Sequence, residues 1–446
     1  MVKHVEAGRQ GAGPQPWSSA ATRTLVDPDA GVQDSSCYSD PDIYRRELER
    51  IFARCWICVG HESQIPRAGD FFTTTIGEDP VIVVRHKDDS IQVMLNQCRH
   101  RGVKLARGDY GSTRAFVCSY HGWCYDTAGR LTGMPHQDQP KANFRFEDWG
   151  LNKVAKVDKY KGLIFATWDT QAGDLREYLG EAIWYLDAIV DRCEDGIEII
   201  GLQKWELRGN WKWGAEQHAS DFYHAQVSHV SYNAVFYPGA TINHLKAFGD
   251  PEYGLQYSSP TLGHGAGWMT SPNEVELAMA LQTHPPEVIE YLRGPMWDTM
   301  RQRLGETRTS RMAVVHTNIF PNLTFNRGQG YMRLWQPRGP GRTEVWNYLF
   351  VDKSWPQAIK DGWQTAMARL FSASGCLEQD DTENTTAAQM GVSGHIASHT
   401  RLNLQMGEPV NAPDFEGPGD ISFVYSEQAL RGFYRRWAAL MTSSQP

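Results

Sequence analysis

The sequence predicts an α+β protein of two unequal units: a small antiparallel β domain, then a larger domain whose antiparallel sheet is surrounded by helices. Three observations carry this. At 446 residues the chain exceeds what one core usually supports. Five short β-rich runs broken by turn residues crowd the stretch from about 70 to 170. Beyond it, strand-like and helix-like patterns mix.

Taken in order, residues 1–45 read as an arm rich in Gly, Pro, Ser and Asp that runs into the start of a helix. "DPDIYRRELERIFARCW" is that helix, with Asp40 or Asp42 at its N-cap and Tyr44, Leu48, Ile51 and Phe52 on its apolar face. The small β unit spans 46–168, with strands at "DFFTTTI", "PVIVVRHKD", "SIQVMLNQ", "RAFVCSY" and "GLIFATW". The larger unit spans 169–446. Its helices are "DLREYLGEAIWYLDAIVDRC" and "SWPQAIKDGWQTAMARLFSAS". Its strands are "EIIGLQKWELRGNWKW", "RMAVVHTNIFPNLTFN" and "GYMRLWQPRG…TEVWNYLFVD".

Composition narrows the function. A formal net charge of −8 argues against a protein that tracks a nucleic-acid backbone, which needs a basic surface. No run of 18 apolar residues occurs, so no membrane span is expected. The N-terminus lacks the apolar stretch of a signal peptide, so a cytoplasmic location is expected. In that compartment the 8 cysteines read as thiols or metal ligands rather than disulfides.

Two constellations carry chemistry. The first is "CRHRGVKLARGDYGSTRAFVCSYHGW", in which Cys98-x-His100 and Cys118-x2-His121 are separated by 17 residues. Zinc is the plain alternative, but zinc fingers pair like with like across their short spacings. Here each pair mixes one Cys with one His. That suits a two-iron cluster whose loops each supply one ligand to each iron. Such is the Rieske [2Fe–2S] arrangement, with potentials of roughly −150 to +300 mV. Cys124 is left over, and the Cys55-x2-Cys58 pair sits in the apolar run "CWICVG", where it reads as structural.

The second is "NWKWGAEQHASDFYHAQVSHVSYN". Asp221 and His224 stand at i and i+3, on one face if the segment is helical. His224 and His229, at i and i+5, would lie about 140° apart on an ideal helix, so they share an ion only if the helix ends, bends or bulges between them. Two histidines and a carboxylate make the facial triad of non-haem Fe(II) oxygenases. Since Asp221 is placed to orient His224, the carboxylate comes from elsewhere. Composition leaves Glu378, Asp380, Asp381 and Glu383 of "GCLEQDDTENT" open.

From about 38 to 435 the chain resembles the large (α) subunit of aromatic-ring-hydroxylating dioxygenases of the naphthalene and biphenyl type. The first motif, with its following Gly-Trp, resembles their Rieske domain. "AEQ-x2-SD-x-YHA-x3-SH" resembles their iron-binding segment, and "F-x5-LEQDD-x-EN" their last ligand segment. The resemblance implies His224, His229 and Asp381 as ligands of a mononuclear Fe(II), with Cys98, His100, Cys118 and His121 holding the cluster. It implies Asp221 as a bridge from His224 to His121 of a neighbouring copy. Also implied are a homotrimeric ring, a small β subunit (α3β3), and electrons from NAD(P)H through a reductase and a ferredoxin. The implied reaction adds O2 to an aromatic substrate to give a cis-dihydrodiol. A salicylate-type hydroxylase would keep the same metals. A Rieske electron-transfer protein is disfavoured by the long second unit.

The resemblance also places Gln217, His218, Ala225, His316, Asn318, Phe371 and Leu377 in the substrate pocket. Hydrocarbon-oxidising relatives usually carry Phe at position 218. An imidazole there either meets a polar group on the substrate or turns to a neighbouring carbonyl. Ala225 and Leu377 are smaller than some family counterparts, which, with no matched Arg, points to a hydrophobic bicyclic or polycyclic substrate.

Overall fold

Side-chain alternation along the long strands decides what the larger unit buries. In the computed structural model, which describes residues 24–139, 143–232, 254–270, 283–407 and 415–443, these strands form one antiparallel sheet of eight. Its order is Ile197–Leu207, Thr343–Asp352, Tyr331–Pro337, Leu323–Asn326, Ala313–Ile319, Gly265–Met269, Gly254–Ser258 and Asp420–Phe423. Successive residues point to opposite faces. Met332, Leu334, Trp346, Tyr348 and Phe350 pack on one side against helices Leu175–Leu179 and Ala182–Val190 and against Trp56, Tyr160 and Phe165 of the smaller unit. Tyr331, Leu349 and Val351 face the other way, towards helices Trp297–Ser310 and Gln357–Phe371. Both faces are therefore covered, and the second one carries the site described below.

The smaller unit is antiparallel throughout. One sheet orders Ile91–Leu95, Asp79–Arg85, Asp70–Ile76 and Tyr110–Ser112, and a second orders Leu131–Gly133, Cys124–Asp126 and Ala115–Val117. A third joins Lys156–Tyr160, Leu163–Thr167 and Ile57–His61. All five runs read from the sequence contain strands.

Three local readings change, and the first helix is as read, with its cap now decided. The arm's residues 1–23 lie outside the described residues, but its end is built in: Val26–Asp27 pairs with Val32–Asp34, which pairs with Arg401–Asn403. The first helix, Pro41–Glu47, is capped by Asp40, whose Oδ1 accepts from Asp42 N and Ile43 N, and continues through a π turn to Phe52. The 174–193 helix is two helices broken at Gly180, which adopts φ +49°. "NWKW" is not strand. Asn210 ends the long strand's excursion and caps helix Trp211–Gln217, its Oδ1 accepting from Lys212 N at 3.1 Å.

That helix is pinned from both ends of the chain. Lys212 Nζ meets Glu47 Oε1 at 2.5 Å, both side chains fully buried, and Glu47 also accepts from the indoles of Trp211 and Trp437. Gly214 lies flat on Trp335, where an added Cβ would fall 2.3 Å from the ring. Only glycine allows that approach.

Candidate metal centres

The two Cys/His loops of the smaller unit repeat one geometry. Cys98 N donates to Val103 O at 2.9 Å, and Cys118 N to Trp123 O at 2.8 Å, five residues on in both cases. Gly102 N and Gly122 N each return a 2.9 Å bond to the carbonyl of the cysteine four residues back. Both glycines sit at positive φ, +75° and +70°, which closes the loops at no steric cost. The loops present their ligands in the same sense. Cys98 and Cys118 are buried, while His100 and His121 are exposed with ring centroids 4.4 Å apart. Tyr125 Oη lies 3.5 Å from Cys98 Sγ, and Trp123 stacks on His100 at 5.1 Å. Two inward thiols and two outward imidazoles fit a cluster held by sulfur on its protein side and by nitrogen at the surface. Cys55 and Cys58 are buried apart from this arrangement.

In the larger unit the helix ends where the sequence required it to. Helix Ala225–Ser228 has only four residues, with His224 at its N-cap and His229 at its C-cap, so both imidazoles can turn to one point. Asp221 precedes this helix rather than sharing a face with His224. Its Oδ1 accepts from His224 N at 3.1 Å and its Oδ2 lies 3.3 Å from His224 Nδ1.

The acidic helix Glu378–Ser393 supplies the third group. One ligand atom each from His224, His229 and Asp381 lie within 4.8 Å of one another. Both Nε2 atoms stand 3.4 Å from Asp381 Oδ1. Each Nδ1 meets a different carboxylate, His224 by Asp221 and His229 by Asp380 Oδ2 at 3.1 Å. A carboxylate behind each imidazole fixes which nitrogen faces the metal and raises its basicity. Burial opposes charge on His224, but Asp221 and then Asp381 outweigh it and raise the imidazole to about 9. Gln217 closes the set, its Nε2 donating to Asp381 Oδ1 at 3.0 Å and lying 3.2 Å from His224 Nε2. Two imidazoles and one carboxylate, each oriented from behind, fit an iron of the facial-triad kind.

The four acids left open by composition now have four distinct places. Asp381 joins the histidines, Asp380 supports His229, and Glu383 is exposed. Glu378 forms a buried ion pair with Arg333, whose Nε donates to Asn347 Oδ1 at 2.9 Å and whose guanidinium lies 4.2 Å from the Tyr331 ring. Burial pushes Glu378 up to about 7 against the pull of Arg333. The pair anchors the first turn of the helix that bears Asp381, a role sequence reasoning missed because the partners are 45 residues apart. Removing either partner strands a buried charge. Arg333→Met is expected to cost about 3–5 kcal/mol, and Arg333→Met with Glu378→Leu to recover much of that loss. Denaturant titration of both variants checks it.

The pocket residues divide. His218 Nδ1 donates to Gly214 O at 2.9 Å, which leaves Nε2 to accept from Tyr331 Oη at 3.1 Å. Burial, then His316 and Arg333, hold it neutral, well below its ordinary range. It has turned to the carbonyl. His316 stacks between His218 and Phe222, with Nε2 on Asn326 Nδ2. Asn318 is fully buried on the same strand. Phe371 and Leu377 are buried with Tyr331 in the cluster of apolar side chains beside the site, and Ala225 opens the His224–His229 turn.

Comparison with known proteins agrees on both units. The Rieske [2Fe-2S] domain family matches residues 55–160, and the ring hydroxylating alpha subunit catalytic domain matches residues 175–443. The chain belongs to the aromatic ring-hydroxylating dioxygenase α-subunit family. It is 44% identical over 440 residues to the biphenyl 2,3-dioxygenase α subunit of Rhodococcus jostii, covering 97% of this chain and 94% of that one. The benzene 1,2-dioxygenase α subunit of Pseudomonas putida is 44% identical over 435 residues, covering 96% and 95%. The naphthalene 1,2-dioxygenase structure from Rhodococcus sp. superimposes with a TM-score of 0.81 at 32% identity, over 93% of this chain and 95% of that one. The protein is thus an oxidoreductase with a Rieske [2Fe–2S] centre and a mononuclear iron. No helix among the described residues is long and apolar enough to cross a membrane.

Proposed function

We propose that this α subunit adds both atoms of O2 to adjacent carbons of an aromatic hydrocarbon, giving a cis-dihydrodiol. The observation that carries the reading is the convergence of His224, His229 and Asp381 beside an outward-facing Asp221, whose side chain is 40% exposed. Cys98, His100, Cys118 and His121 hold the cluster, and His224, His229 and Asp381 the iron, with the units divided near residue 168. When bound, these centres supply single electrons and oxygen activation respectively. The chain's own groups do the rest. Asp221 and Asp380 orient the two imidazoles, Gln217 covers the ligand set, and the tied-back His218 presents no free polar atom to an apolar ring.

His121 and Asp221 both face outward on a single copy, as do Tyr120 and Val117 by the cluster and Tyr223 and Val227 by the iron ligands. Such surfaces suit head-to-tail contact in a ring, with Asp221 of one copy meeting His121 of the next. A homotrimer, with a small β subunit and with electrons from NAD(P)H through a reductase and ferredoxin, completes the reading. The similarity to biphenyl and benzene dioxygenases favours one- and two-ring substrates. The test is turnover under 18O2 with benzene, biphenyl and naphthalene. The expected product is a diol carrying two labelled oxygens in one molecule. A phenol carrying one label would instead mark a monooxygenase.

A further inference from the structure

The two cluster cysteines are not equivalently surrounded. Tyr125 lies in the middle strand, Cys124–Asp126, of its three-stranded sheet, paired with Phe116 on one side and Leu131 on the other. Its ring is fully buried among Ile82, Met94, Phe116 and Leu131, so both its backbone and its side chain are held. From there its hydroxyl reaches 3.5 Å from Cys98 Sγ, and Arg99 N donates to the same oxygen at 3.1 Å. The Arg99 guanidinium is tied in turn to Gly150 O at 2.9 Å and Asn152 Oδ1 at 2.8 Å. Among the described residues, no side chain makes such a bond to Cys118 Sγ.

The direction of the Tyr125–Cys98 bond follows from chemistry. A cysteine that holds iron is a thiolate and has no hydrogen to give. A phenol at neutral pH keeps its own, and the Arg99 amide already occupies one lone pair of its oxygen. The hydrogen therefore belongs to Tyr125 and points at sulfur. One-electron reduction of the cluster turns one Fe(III) into Fe(II), breaks no bond, and adds one negative charge shared with its sulfurs. A hydrogen aimed at sulfur favours the more negative state, and the apolar surroundings strengthen it.

We propose that Tyr125, acting through Cys98, raises the reduction potential of the cluster and so sets how readily the subunit accepts an electron from its donor. Its role is that of a positioning residue with an electronic consequence. Redox titration of the assembled enzyme, followed by the visible absorption of the cluster, tests it with two replacements. Tyr125→Phe keeps the ring and removes the hydroxyl. It should retain parental iron yet be about tenfold harder to reduce, a fall of about 59 mV for one electron. 3-Fluorotyrosine placed at position 125 keeps the hydroxyl and makes it a stronger acid, so the potential should move the other way. A ring that only packs predicts no such reversal of sign. An unchanged potential in Tyr125→Phe, or a fall in both enzymes, overturns the proposal. If Tyr125→Phe does not hold the cluster, the fluorotyrosine enzyme decides alone, and a potential at or below the parental value overturns it. The titration needs no aromatic substrate, so its outcome is independent of whether the product is a diol or a phenol.

Discussion

Asp381→Ala is expected to empty the mononuclear iron site and abolish product formation while leaving the Rieske absorption and its iron intact. Asp381 is the carboxylate that both ligand histidines face through Nε2, so its loss leaves two neutral nitrogens and no anionic donor. Asp380 stands one residue away and does something different. It holds His229 from the far side of the ring, through Nδ1. Asp380→Ala should therefore keep a measurable iron site with affinity lowered about 10–100-fold. Iron analysis of both variants after identical dialysis checks the order. The reverse order would exchange the roles of the two acids.

Asp221→Asn is the second large effect. The amide keeps the side chain's shape but not its charge, and neither metal loses a ligand. Iron content should be close to parental and the cluster should still be reduced by its electron donor. Product formation should fall by about 10–100-fold or more, because Asp221 sets His224 and, in the proposed ring, would meet His121 of the next copy. Stopped-flow reoxidation of the cluster in the presence of O2 and substrate reads the defect directly. Reoxidation at the parental rate would place the electron path elsewhere.

Much of this site was legible because metal ligation constrains residue type and spacing. Two mixed Cys/His pairs suffice to indicate the cluster loops. The awkward i, i+5 spacing of His224 and His229 demanded a broken helix, and the helix between them is four residues long. Less legible were contacts between distant segments. His218 is neutralised as a polar group by Tyr331, 113 residues on, and no local pattern announces that bond. The Arg333–Glu378 pair and the Lys212–Glu47 pair are likewise long-range and buried. The misreading of "NWKW" as strand followed its tryptophans, which favour strands on a pleated surface. The capping Asn210 and the buried charge on Lys212 decided for helix.

In the proposed ring, electrons cross from the cluster of one copy to the iron of the next. Mixed assemblies test that crossing. His100→Ala removes a cluster ligand and Asp381→Ala an iron ligand, so each variant alone should form no product. Co-expressed in equal amounts, they place an intact cluster beside an intact iron at about a quarter of the contacts in a head-to-tail ring. The mixture is predicted to recover about a quarter of parental turnover per assembly, since only those contacts are productive. A mixed assembly as inactive as either variant alone would contradict the claim, because it would confine electron transfer to a single chain.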